Sequence, residues 1–87
     1  MVNHYHMYHR GMDGQVIFYC AIDRLVYYTL SSVLSRRYGI HMISAAYMFT
    51  HTHQLGRAPS PEIVREYEYQ LGWYYARAFN QASGRRG

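Results

Sequence analysis

The sequence predicts a single α+β domain in which two helices pack on one face of a small antiparallel sheet, in the order β-α-β-β-α. Three observations predict it. The segments Val2–Arg10, Ile40–Met48 and His51–Leu55 have strand character. The segments that open at Asp23 and at Pro61 instead repeat at three and four, the period of an amphipathic helix. At 87 residues the chain is long enough for one core and little more, so 1–87 is read as one domain.

The elements follow in order. Val2–Arg10 places Val2, His4, His6 and Tyr8 on one face and Asn3, Tyr5, Met7 and His9 on the other. Gly11-Met12-Asp13-Gly14 is a turn and Gln15–Cys20 a short apolar link. In the first helix Ile22, Leu25, Val26, Thr29, Leu30, Val33 and Leu34 form the expected buried stripe. Basic Arg36 and Arg37 sit in its last turn and Gly39 stops it. Ile40–Met48 and His51–Leu55 are two strands joined by a tight connection, and Gly56-Arg57-Ala58-Pro59 breaks the pattern. Ser60 then reads as N-cap, Pro61 as first helical residue and Glu62 as first-turn acid of a helix reaching Ala82. Its expected apolar residues are Ile63, Val64, Tyr67, Leu71, Tyr74, Tyr75, Ala78 and Phe79. Residues 83–87 form a polar tail.

Composition narrows the function classes. No apolar run approaches the roughly 18 residues of a membrane span, so no membrane partner is expected. Met1-Val2-Asn3-His4 carries neither a basic head nor an apolar signal core. The single Cys20 forms no internal disulfide and fits a cytoplasmic location. All nine basic residues are arginine, against five acidic ones. The guanidinium fork grips phosphate in two places, which suits nucleic acid. Eleven tyrosines offer rings that stack on unpaired bases or pack half-buried on a sheet.

Tyr47-Met48-Phe49-Thr50-His51-Thr52-His53-Gln54-Leu55 carries the densest chemistry. Strand residues i and i+2 share a face with Cα atoms roughly 6.6 Å apart, so His51 and His53 can reach one metal ion. The plainer alternative is two polar residues on a solvent-facing strand.

Three blocks give the chain a family likeness. The first is Tyr5-His6-Met7-Tyr8-His9-Arg10-Gly11, followed by Ile17-Phe18. The second is Met48-Phe49-Thr50-His51-Thr52-His53, and the third Tyr75-Ala76-Arg77-Ala78-Phe79-Asn80 with Ser83-Gly84-Arg85-Arg86-Gly87. Together they resemble the single-tyrosine HUH transposases, in particular the group associated with repetitive extragenic palindromes, over nearly the whole chain. Thr52 stands where that family has an aliphatic residue, and His9 where it has Asn. The family's domain continues into a further strand, so the resemblance leads us to expect an incomplete ferredoxin-like HUH core that lacks the C-terminal strand.

The resemblance implies metal-dependent cleavage and strand transfer of single-stranded DNA. A tyrosine hydroxyl attacks a phosphodiester, forms a 5′-phosphotyrosine and releases a 3′-hydroxyl. It selects Tyr75 as nucleophile, with Mg²⁺ or Mn²⁺ on His51 and His53. Asn80 is the implied third ligand, although it suits a helix cap equally well; Glu68 and Gln81 are alternatives. Arg10 and Arg77 match family positions and, with Arg85 and Arg86, are the expected contacts to single-stranded or hairpin DNA. A homodimer is expected, since a sheet short of a strand leaves an edge that a second copy can cover. The alternative is a shortened, inactive relative that binds nucleic acid or self-assembles.

Overall fold

The computed structural model describes residues 3–10 and 17–83. Its elements take the expected order: β1 (Asn3–Arg10), α1 (Ala21–Arg37), β2 (His41–Tyr47), β3 (His51–Ala58) and α2 (Pro61–Ser83). The expected Gly11–Gly14 turn, Arg85 and Arg86 lie outside the described residues. No helix among the described residues is long and apolar enough to cross a membrane.

β3 is the central strand, antiparallel to β1 on one side and β2 on the other. Its residues alternate strictly. Thr52, Gln54, Gly56 and Ala58 are buried towards the helices, whereas His51, His53, Leu55 and Arg57 point the other way. The strand outruns the sequence expectation, which ends it at Leu55. Gly56 is not a breaker; it pairs with Tyr5 and Met42. A Cβ there would lie 3.1 Å from the His41 carbonyl oxygen and 3.2 Å from Met7 Cε, so glycine lets β1 and β2 close on this point.

Helix α1 begins at Ala21, two residues before the expected Asp23, whose carboxylate accepts a hydrogen bond from the Tyr19 amide at 2.8 Å. Its buried face also differs from the expected stripe. Tyr27, Ser31, Leu34 and Ser35 are buried, while Ile22, Leu25 and Val33 are exposed. The aromatic Tyr27 supplies the contact area, packing edge-on against Phe18, Tyr47 and Tyr75. The two serines are small enough for close approach; Ser31 bonds the Tyr67 hydroxyl inside, and Ser35 donates to the Ser32 carbonyl of its own helix. The helix stops as expected at Gly39, with a φ of 69° that favours glycine.

Helix α2 starts as its sequence predicts: the Ile63 amide donates to the Ser60 hydroxyl at 3.3 Å. Val64, Tyr67, Leu71 and Tyr75 make a continuous buried stripe, and Ile63 and Phe79 pack beside it. Tyr74 turns outward instead.

The core is partly polar. Gln54 donates to Ser31 Oγ at 2.8 Å and accepts from the Tyr67 hydroxyl at 3.0 Å, and Ser31 and Tyr67 are joined at 2.7 Å. Beside them the Tyr27 hydroxyl meets Thr52 Oγ1 at 3.1 Å and His9 Nδ1 at 3.3 Å. Each of these hydroxyl, amide and imidazole groups thereby keeps a partner, which offsets the desolvation penalty it would otherwise carry. Gln54→Ala opens a void and takes one hydrogen bond each from Ser31 and Tyr67, leaving them only each other, so urea unfolding should give a loss of about 2–4 kcal/mol. Arg65→Ala breaks only the exposed 3.2 Å ion pair with Glu62 and should cost under about 0.5 kcal/mol in the same assay.

Candidate nucleic-acid interface

The face of the sheet turned away from the helices is open, and both strands' alternation loads it with ring and guanidinium groups. β1 contributes His4, His6, Tyr8 and Arg10, which lie opposite Arg57, Leu55, His53 and His51 of β3. β2 adds His41, Ser44 and Ala46 beside Arg57, Leu55 and His53. The small side chains at 44–46 leave a shallow hollow bordered by His6, His53 and Leu55.

Its centre is a cluster of four rings. His53 Nδ1 is 2.9 Å from His6 Nε2, with the two rings 8° from parallel. One nitrogen donates and the other accepts. Tyr8 is tilted against both His53 and His51, at 4.9 Å and 5.7 Å between centroids. His51 and His53 are themselves edge to face at 5.1 Å. His51 Nδ1 is held by Thr50 Oγ1 at 3.1 Å. Both histidines therefore have Nδ1 engaged, and neither Nε2 has a hydrogen-bond partner among the described residues. A metal-ligating histidine is oriented in this way, through a bond on its other ring nitrogen.

The expected ligand and nucleophile do not join this cluster. Tyr75 lies on the opposite side of the sheet, 5% exposed, and its hydroxyl donates to the Ile17 carbonyl at 2.6 Å. The reason is register along α2: Tyr75 continues the Val64–Tyr67–Leu71 stripe and packs on Phe18, Tyr27 and Phe79. Burial pushes its phenol well above the ordinary tyrosine range, and the nearby Asp23 and Cys20 add to this. Asn80 stands on the same helix, beyond Tyr75. Among the described residues no group of three or more His, Cys, Asp and Glu side chains is arranged to hold a metal.

Of the expected phosphate contacts, Arg10 is on the open face, opposite His51. Arg77 is on α2, its guanidinium 5.3 Å over the Trp73 ring. The sequence reading overlooked Tyr8, Arg57 and His41 as site residues. Their signal was alternation, since His4, His6 and Tyr8 share a face; only the strand pairing brings that face against β3.

No family model matches the chain, and no curated protein matches it significantly.

The burial of Tyr75 and of Tyr27, whose phenol is likewise raised by desolvation, has a consequence at high pH. In the unfolded chain these groups ionise near the ordinary value of 10.0, while the folded state holds them neutral. Their contribution is thus present in full below pH 10 and is lost as the pH rises beyond it. Unfolding free energy should fall above about pH 10, and Tyr75→Phe should make that fall shallower.

Proposed function

We propose that this protein binds single-stranded nucleic acid across the open face of its sheet, as a relative of the HUH transposases that does not cleave through Tyr75. The observation that carries the reading is the grouping of Tyr8, His6, His51 and His53 on one solvent-facing platform. Unpaired bases stack on such rings without regard to sequence, and each stacked base contributes on the order of 1–3 kcal/mol. Arg10 and Arg57 flank the rings on the same face, within reach of the phosphates on either side. The net charge of +4 favours the encounter. DNA is the ligand that the resemblance in the three sequence blocks favours.

A divalent cation fits this reading at the free Nε2 atoms of His51 and His53. Imidazole donors suit Mn²⁺ better than Mg²⁺. Such an ion, if held there, would supply positive charge to a bound phosphate. The protein's own residues do the rest: Thr50 and His6 fix the two imidazoles, and Tyr8 covers one side of them. A tyrosine transfer step would require the Tyr75 hydroxyl to leave the Ile17 carbonyl and cross to the other side of the sheet. Self-association belongs to the same proposal, because among the described residues β1 pairs only with β3 and keeps one edge unpaired.

Fluorescence anisotropy with a labelled single-stranded oligonucleotide tests the platform. Tyr8→Ala and His53→Ala should each weaken binding by about tenfold or more. Arg57→Ala should lower the slope of log affinity against log salt by about 0.7. Tyr75→Phe should bind as the native protein does. Native affinity in the Tyr8 and His53 variants would sink the proposal. A covalent protein–DNA adduct formed with Mn²⁺ and lost in Tyr75→Phe would restore the cleaving reading.

A further inference from the structure

A cavity of about 300 Å³ lies between β1 and α2, on the side of the sheet away from the ring platform. It is at the lower end of the size range of small-ligand sites. Met7 and Leu71 give it apolar walls, and its floor is the hydroxyl pair of Tyr27 and Thr52. His9 lines one side, its Nδ1 turned to the Tyr27 hydroxyl. Arg65, Glu68 and Tyr69 of α2 and Gln54 of β3 also line it.

Glu68 is the informative residue. Its carboxyl makes no hydrogen bond or ion pair among the described residues, although Arg65 is three positions away. Arg65 instead turns to Glu62 at 3.2 Å. Burial raises the Glu68 carboxyl above its ordinary value, and it holds His9 below its own. A cavity with apolar walls on one side and several convergent polar groups on the other is a form that ligand sites take.

We propose that this cavity binds a nucleobase whose exocyclic amino group is at the 4 or 6 position, cytosine or adenine, with the flat ring between Met7 and Leu71 and its amino group donating to Glu68. A carboxylate accepts from such an amino group, whereas the matching position of uracil or thymine is a carbonyl that a carboxylate repels. Tyr8 lines the cavity and also belongs to the ring platform. A base of a strand lying on the platform can therefore turn over the β1 edge into the cavity, as bases do in proteins that read them one at a time. That source of the base rests on the nucleic-acid reading above; a free nucleoside offers the same chemistry without it.

The test follows the methyl resonances of Met7, Thr52 and Leu71 and the imidazole resonances of His51 and His53 in the 87-residue chain. It is titrated separately with cytidine, uridine and a short single-stranded oligodeoxycytidine. Cytidine should shift the cavity methyls and uridine should not. Glu68→Ala, at an exposed position that leaves the core intact, should weaken cytidine roughly tenfold. If the oligonucleotide shifts the same methyls, the base comes from the strand. If cytidine alone does so, the ligand is a free nucleoside. Should the oligonucleotide move only the histidines, with the methyls still under all three ligands, the cavity proposal is overturned and the platform stands. Equal affinity for cytidine and uridine would overturn the role of Glu68. Methyl shifts with cytidine while the oligonucleotide moves nothing would overturn the platform and leave the cavity.

Discussion

The rest of the structure depends on the hydrogen bonds that two inward side chains of β3, Thr52 and Gln54, make with the helices. Thr52 reaches Tyr27 of α1, while Gln54 reaches Ser31 of α1 and Tyr67 of α2. Such bonds have a direction and a length, so they hold the sheet at one height and one register under the helices. Apolar contact alone would tolerate small slips. In a strand a slip of one residue reverses every side chain. Keeping Thr52 and Gln54 inside therefore forces His51 and His53 outside. The polar core and the exposed histidine cluster are two results of one constraint.

That constraint also divides the tyrosines. Tyr27, Tyr67 and Tyr75 are buried, with phenols held neutral by desolvation, and they serve as rings to pack and hydroxyls to bond. Tyr8, on the other side, is half exposed, and its ring lies against the His51 and His53 imidazoles. The two populations are chemically suited to different work. A buried phenol that donates to a carbonyl is a structural group, whereas a phenol beside imidazoles at the surface can touch a ligand. The half-buried His9 and the exposed Glu68 both line the cavity between β1 and α2, where desolvation lowers the imidazole and raises the carboxyl.

Much of this was legible beforehand. The Ser60-Pro61-Glu62 start of α2, its Val64–Tyr67–Leu71–Tyr75 stripe and the Gly39 stop of α1 are local signals, and local backbone physics carries them out. The buried face of α1 was not legible, because Tyr27, Ser31 and Ser35 are absent from any stripe drawn on aliphatic residues. The end of β3 was misjudged for a related reason. Gly56 reads as a breaker until one sees that the His41 carbonyl and Met7 occupy the space a side chain would need. Tyr75 shows the limit most sharply: its place in a motif says nothing about the side of the sheet on which its helix lies.

By itself the sequence determined the element order, the start of α2, the stop of α1 and the fact that His51 and His53 share a face, since periods of two and of three to four are properties of the backbone. Only the tertiary structure decided which groups meet those histidines. His6 is 47 positions from His53 and touches it because β1 lies antiparallel to β3 with Tyr8 opposite His53. Tyr75 is nearer in sequence and lies on the other side of the sheet. Cross-strand register and the choice of covered face are set by the burial of residues far apart in the chain, which no local pattern encodes.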